Sequence, residues 1–381
     1  MFLSALIIAF TLYYTVLLLR FYLGLFKIKK VKTKKQFFVS VIVPARNEEK
    51  NIGRCLGSLI AQNYPKDKYE IIVVNDASTD RTKEIVEAYQ HKPGGTNLMI
   101  ITLDESRART TAYKKFAISR GIDQSKGDII LTTDADCVQP RGWIQEMVNR
   151  FEENVGFVSG PVVYANEKTL FHKLQSLEFL GLITVGAGAI GNGQPVICNG
   201  ANVAYRKNVF YKVGGFRGVD GLASGDDELL MQKIALQKKW KVVFALSEAT
   251  IVKTRPLDTL KQFLNQRKRW ASKGVHYQSK SLVAMLVGIY LYFLLLFISL
   301  PIAILSNESL RDGIFSALLF SLCIKTTVNF LTLQKGCRLF HKKELLKYFP
   351  LSELFHIPYI VYAGLAGFMG RFEWKGRRIQ R

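Results

Sequence analysis

The chain has 381 residues, 49% of them hydrophobic, and 53 Lys+Arg against 30 Asp+Glu give a formal charge of +23. That balance favours anionic partners, either membrane lipid or nucleotide phosphate. It disfavours nucleic acid, because the basic residues cluster beside apolar segments and no zinc-finger or RNA-recognition motif accompanies them. The five cysteines, Cys55, Cys137, Cys198, Cys323 and Cys337, are odd in number and contain no C-x-x-C pair. A disulfide framework or structural zinc site is therefore not expected, and a reducing compartment is.

Residues 1–26 are apolar except for Arg20 and long enough to span a bilayer. No cation precedes the run and no cleavage site follows it, so it does not read as a secretory signal. A basic linker, 27–36, follows with Lys27, Lys29, Lys30, Lys32, Lys34 and Lys35. By the positive-inside rule the linker begins in the cytoplasm. Short β-branched runs at 38–43, 69–74, 98–103 and 129–133 then alternate with helical spacing at 52–61, 82–89 and 113–121. That alternation predicts an α/β domain over 37–255 with a mostly parallel sheet. No G-x-G-x-x-G follows its first strand and it has no Walker A motif, which removes the main support for dinucleotide oxidoreductases and P-loop NTPases.

Three strands end in polar loops: Pro44 to Glu49, Asn75 to Asp80, and Asp134-Ala135-Asp136. Ligands of open α/β sheets gather at that carboxyl edge. In an extended segment Asp134 and Asp136 would face the same way, and two hard carboxylates suit Mg²⁺ or Mn²⁺ bridging to substrate phosphates. Helix capping by Asn47, Ser78 or Asp80 is the plainer reading of those residues. Asp226, Asp227 and Glu228 read equally as an acidic site or as an acidic first turn favoured by the helix dipole.

A cationic amphipathic segment, 256–280, leads to uncharged residues 281–305, then 313–333 with Lys325 as its one charge. These predict two spans that go out and return, since 306–312 is poor in cations and 334–347 is rich. Lys325 reads either as a snorkelling lysine or as one facing a lipid phosphate. Residues 354–370 are interrupted by Pro358, Gly364 and Gly367 and flanked by cations on both sides, which fits a re-entrant or interfacial segment better than a crossing. A basic cytoplasmic tail, 371–381, completes the chain. The whole reads as a multi-pass protein of the cell (inner) membrane, its α/β domain cytoplasmic and facing an anionic lipid surface.

The ordered set VSVIVPARNEE (39–49), VVNDASTD (73–80), TDADC (133–137), SGDDE (224–228) and QRKRW (266–270) resembles family two glycosyltransferases with the GT-A fold. The last is the Q-x-x-R-W box of membrane-bound members, and WKGRR (374–378) is a softer match to their ending. The resemblance implies a nucleotide sugar, most often a UDP-sugar, as donor. Pro44, Glu48 and Asp76 would shape the nucleotide pocket, and Lys115 would approach the diphosphate, with Lys114 adjacent. Asp134 would share donor binding, and Asp136 with Asp134 would hold Mg²⁺ or Mn²⁺. Asp227 would be the general base of an inverting displacement. Asp226 stands where relatives carry glutamate, so the pair stays open as to which acid is the base. Asn199 and Gly200 match the acceptor side, with Gly214, Gly215 and Phe216 beyond them. Gln266, Arg269 and Trp270 match the diphosphate and acceptor mouth, or anchor an interfacial helix at headgroups. The layout is similar to ceramide glucosyltransferase-type proteins, which act on a membrane lipid. A small polysaccharide synthase, a polyprenyl-phosphate sugar synthase and a non-catalytic membrane scaffold of the same fold are the alternatives.

Overall fold

A computed structural model of the protein describes residues 1–29, 34–91, 97–104, 112–222, 224–273, 276–368, 371–374 and 377–380. Lys30 and Lys32 of the linker, Gly370, and Lys375, Gly376 and Arg381 of the tail lie outside them. The chain divides into two compact units. One comprises Met1–Lys27, Glu167–Asn192 and Leu257–Phe372; the other comprises Ile28–Asn166, Gly193–Pro256 and Glu373–Arg381.

The α/β unit is built on a seven-stranded sheet. Its strands are β1 (Val39–Ala45), β2 (Tyr69–Asp76), β3 (Asn97–Leu103), β4 (Ile129–Thr132), β5 (Val155–Ser159), β7 (Val203–Arg206) and β8 (Lys241–Phe244), in the order β3-β2-β1-β4-β7-β5-β8, while β6 (Val162–Tyr164) pairs with β9 (Val252–Thr254) outside it. The first four pair in parallel, with Val39 opposite both Tyr69 and Ile129, while β7 runs antiparallel to β4 and β5. Continuous burial along β1, β2 and β4 explains the unbroken apolar runs: a strand covered on both faces has no polar alternation. The crossover helices α2 (Ile52–Ile60), α3 (Thr82–Gln90) and α4 (Tyr113–Gln124) follow β1, β2 and β3, and the short helices α5 (Trp143–Val148) and α7 (Lys207–Lys212) follow β4 and β7. The chain winds from β1 outward to β3, then returns to place β4 on the other side of β1. The strand order therefore reverses between β1 and β4, and a crevice at such a point is where ligands of doubly wound sheets bind.

The helical unit holds α1 (Phe2–Gly24), α6 (Leu170–Gly191), α9 (Leu260–Ala271), α10 (Lys280–Leu305), α11 (Glu308–Leu339) and α12 (Phe349–Phe368). Among the described residues, four helices are long and apolar enough to cross a membrane: Phe2–Lys27, Leu170–Gly191, Lys280–Leu305 and Glu308–Leu339. The second was not expected, because it interrupts the segment read as one continuous 37–255 domain. Close backbone contacts hold it. A Cβ on Gly188 would stand 2.0 Å from the Phe21 carbonyl oxygen, and one on Gly336 would stand 2.0 Å from Thr184 Oγ1. Small residues let membrane helices approach in this way.

Residues 354–368 belong to the continuous helix α12, with Pro358 inside it, and the tail includes a two-stranded ribbon, Arg371–Trp374 with Arg377–Gln380. Lys325 neither snorkels nor faces solvent. It is fully buried, paired with Glu353 and 3.3 Å from His356 Nδ1, while Asn329 Nδ2 donates to both Glu353 oxygens at 3.2 Å. A charge inside an apolar bundle is stable only with such partners, and α12 supplies them.

Candidate functional site

The loops after β1 and β2 are laced together. Arg46 Nη1 donates to the carbonyls of Asp76 and Ala77 at 2.7 and 3.0 Å. Asn47 and Ala77 both hold positive φ, 53° and 47°, a conformation that costs free energy and persists only where surroundings enforce it. The enforcement is visible: Asn47 N–H donates to Ser78 Oγ at 3.1 Å and Asn47 Oδ1 accepts from Thr79 N–H at 2.9 Å. Asn47 thus ties the two loops instead of capping α2. Asp80 does act locally, accepting from Thr82 N–H at 3.0 Å, and also from Glu49 N–H at 3.0 Å. Burial alone would raise the Asp80 carboxyl. The Thr82 hydroxyl and these N–H donors outweigh it and hold the carboxyl below the usual range. Pro44 is half-buried within β1, Glu48 is buried and accepts from Asn51 Nδ2 at 2.8 Å, and Asp76 is the buried last residue of β2.

Asp134 and Asp136 lie just beyond β4, in a turn closed by Cys137 N–H donating to the Asp134 carbonyl at 3.1 Å. The extended geometry expected of the pair is replaced by this turn, and both carboxylates remain partly exposed. Beneath them sit two buried thiols. Cys137 Sγ is 3.6 Å from Asp136 Oδ1, and Cys55 Sγ is 3.7 Å from the Asp134 carbonyl oxygen. Burial first, then the negative charges of Asp136 and Asp134, push both thiols up, so they stay neutral.

Among the described residues, Lys114 brings a cation to this site. Its Nζ lies 2.8 Å from Asp134 Oδ1 and 3.1 Å from Asp226 Oδ2, joining the loop after β4 to the acidic motif. Burial would lower Lys114, but Asp134 and Asp226 outweigh that and raise it. Burial likewise favours a raised Asp226 carboxyl, and Lys114 outweighs it, holding that carboxyl below its ordinary range. Lys115, the residue assigned to the diphosphate by resemblance, points elsewhere. It is buried and donates to the carbonyls of Val219, Leu222 and Ser224 at 2.8, 2.6 and 2.8 Å, fixing the loop before Gly225. Adjacent helical residues are rotated by about 100°, so one position of register separates the two roles.

Gly225 has φ 84°, a left-handed conformation that favours glycine. Asp227 then caps α8 (Glu228–Leu236) through Oδ1, which accepts from Glu228 N–H at 2.7 Å, so the acidic-turn reading holds for that oxygen. Its Oδ2 accepts from Gly200 N–H at 2.6 Å, and the Gly200 carbonyl accepts from Thr132 Oγ1 at 3.0 Å. A Cβ on Gly200 would lie 2.9 Å from Asp226 Oδ2. Gly200 is needed for this close approach, and Asn199 supports it by accepting from Ala201 N–H at 2.9 Å. The structure therefore brings together Asp134, Lys114, Asp226, Asp227 and Gly200. Gln266, Arg269 and Trp270 are on α9 of the helical unit.

Residues 129–334, more than half of the chain, match the model for glycosyl transferase family group 2, and residues 40–214 match that for glycosyl transferase family 2. The chain belongs to the family 2 glycosyltransferases. Glycosyltransferase AglE of Haloferax volcanii is 38% identical to this family 2 chain over 142 residues, covering 36% of the chain and 44% of AglE. Poly-beta-1,6-N-acetyl-D-glucosamine synthase of Staphylococcus aureus is 25% identical over 251 residues, 62% of the chain and 54% of the synthase. The chain thus spans about half the length of the curated relatives it matches. Among solved structures, the mannosyltransferase PcManGT of Pyrobaculum calidifontis, in complex with GDP-Man and Mn²⁺, superposes with a TM-score of 0.56 at 20% identity, covering 93% of this chain and 99% of that one. That likeness establishes the GT-A fold.

Proposed function

We propose that the protein is an inverting glycosyltransferase that moves a sugar from a nucleotide-diphospho-sugar to a membrane lipid or lipid-linked acceptor. The observation that carries this reading is the Lys114 bridge between Asp134 and Asp226, at the carboxyl edge of the sheet where the strand order reverses. Asp76, Pro44 and Glu48 would hold the nucleotide, and Lys114 would meet the diphosphate in place of Lys115.

Among the described residues, no group of three or more His, Cys, Asp or Glu could by itself hold a metal ion. The residues still fit Mg²⁺ or Mn²⁺, because Asp134 and Asp136 offer two partly exposed hard carboxylates and such ions complete their coordination with water and substrate phosphates. Asp136 and Asp134 would hold the ion, which when bound supplies charge stabilisation to the departing nucleoside diphosphate. Asp227 is the proposed general base. Two backbone N–H groups fix its orientation and leave a second lone pair on each oxygen. As the acceptor oxygen attacks the anomeric carbon, its proton passes to Asp227, the bond to the diphosphate breaks, and the anomeric configuration inverts. Asp226, paired with Lys114, is the tuning neighbour.

The cation distribution supports three crossings, by α1, α10 and α11, with the catalytic unit cytoplasmic at the cell membrane. A single crossing by α6 is topologically untenable. It would put β4 and β7 on opposite sides of the bilayer, yet they are hydrogen-bonded neighbours in one sheet. Thiol labelling in intact cells of Ser309→Cys, made in a Cys323→Ser background, should succeed, whereas labelling at Ser40→Cys should not.

The direct test incubates the purified full chain in detergent with UDP- and GDP-sugars and a membrane lipid extract. A radiolabelled lipid with inverted anomeric configuration is expected. A labelled polymer would favour a processive polysaccharide synthase, the second reading, which the likeness to the staphylococcal synthase supports. No nucleotide release with any sugar would remove both.

A further inference from the structure

Arg267 lies inside the sequence Gln266-Arg267-Lys268-Arg269-Trp270 but is not one of the three residues that define the box. It is 3% exposed. Its guanidinium sits between two rings of its own helix, 4.4 Å from the Phe263 centroid one turn back and 4.3 Å from the Trp270 centroid one turn on. Its Nε donates to Glu178 Oε1 at 3.2 Å and its Nη2 donates to Glu178 Oε2, a two-pronged pair reaching from α9 to α6. The remaining Nη1 donates to Gln266 Oε1. Tyr359 of α12 donates to Glu178 Oε1 at 3.0 Å, so the carboxylate is held from a third helix.

The surroundings repeat the pattern on one face of α6. Phe171 meets the Phe263 ring at 5.8 Å, and Phe179 meets Trp270 at 5.9 Å. Between them the Gln175 amide pairs with both backbone groups of Leu257, just ahead of α9, at 2.8 and 3.2 Å. A buried ion pair is a weak source of stability, because desolvation offsets the attraction. What a planar fork on a carboxylate supplies is orientation, and lysine cannot reproduce it.

We propose that Arg267 is the positioning residue of the Q-x-x-R-W box, locked by Glu178 and Tyr359, and that α6 is the platform from which the box is aimed. Arg267 orients Gln266 by a hydrogen bond and Trp270 by stacking; it need not touch donor or acceptor itself. This inference rests on the proposed glycosyl transfer only for its kinetic consequence, and its structural half stands apart from it.

The test uses the full chain in detergent micelles labelled with 5-fluorotryptophan, whose four tryptophans give four fluorine resonances. Trp270→Phe assigns the relevant one. Arg267→Lys and Glu178→Gln should each shift the Trp270 resonance and leave those of Trp143 and Trp240 in place. Tyr359→Phe, which removes a single hydroxyl, should shift it less and covers the case in which the charge variants fail to fold. Lys261→Ala, an exposed change on the same helix, should shift none. In the transfer assay the charge variants should lose turnover by roughly 10²-fold, the scale of an ångström-sized misplacement, with KM for the nucleotide sugar nearly unchanged. An unmoved Trp270 resonance in the folded variants overturns the proposal, whatever happens to turnover, and so does a loss carried by donor KM alone. If the wild type releases no nucleotide from any sugar tried, the transferase reading fails while the fluorine shifts still decide the positioning claim.

Discussion

Two adjacent lysines on α4 should fail in opposite ways when each is replaced by methionine. Lys115 donates to three carbonyls of the loop before Gly225 at 2.6 to 2.8 Å. A hydrogen bond involving a charged group contributes about 1.5–3 kcal/mol. Three at one ammonium do not add, so Lys115→Met should cost about 3–5 kcal/mol, a large part of a stability of about 5–15 kcal/mol. Lys114 holds two carboxylates at a partly exposed site, with Lys114 20% and Asp134 37% exposed. Screening there reduces the stability cost of Lys114→Met to about 1–2 kcal/mol, while the cation proposed to meet the diphosphate is lost. Fluorescence-detected size-exclusion chromatography after heating reads the first effect, and nucleoside diphosphate release at a permissive temperature reads the second. Lys114→Met should fold and fail to turn over; Lys115→Met should lose the folded peak at lower temperature. A stable Lys115→Met lacking activity beside a fully active Lys114→Met would refute the assignment and return the diphosphate role to Lys115.

Asp227→Asn should lower turnover by about 10²–10⁴-fold, the usual range for loss of a general base, with donor binding by calorimetry nearly intact, and Asp226→Asn should be milder. Equal, small effects of both would leave only the helix-capping role. Because Lys114 depresses the Asp226 carboxyl, that pair stabilises the fold above the unfolded carboxylate pKa of about 4 and stops doing so as pH falls through the lower folded value. Lys114→Met removes the largest opposition to burial, leaving Lys115 and a backbone hydrogen bond, so its acid-induced unfolding should begin at a higher pH than in the wild type; coincident curves would contradict the pairing. Gly188→Leu should abolish the folded peak, since even a Cβ meets the Phe21 carbonyl at 2.0 Å, whereas Gly57→Ala, with open space around it, should be tolerated.

Motifs that are local in sequence were legible before the fold was seen. The three strand ends carry their chemistry within a few residues of an apolar run, so Asp76, Asp134 and Asp136 fall at the sheet edge as soon as the strands are recognised. The candidate spans at either end are long apolar runs, broken only by Arg20 and Lys325, and stand out in the sequence. Features that depend on distant partners were hidden. Lys325 gives no sign that Glu353 and His356 will turn to it from another helix. Helix α6 carries His172, Lys173 and Glu178 among glycines and alanines, which lowers its hydropathy and let it pass as part of the α/β domain. Its glycines, however, were a signal of close helix packing. The different surroundings of Lys114 and Lys115 come from one residue of helical register, which motif matching does not resolve.

The most direct test is nucleoside diphosphate release by the purified full chain as divalent metal is removed and restored. Release should cease with a chelator and return with Mn²⁺ or Mg²⁺, and Asp136→Asn should lose most of it while keeping the wild-type elution profile. Undiminished release in metal-free buffer, or an Asp136→Asn variant as active as the wild type, would contradict a donor diphosphate held at the carboxyl edge of the sheet.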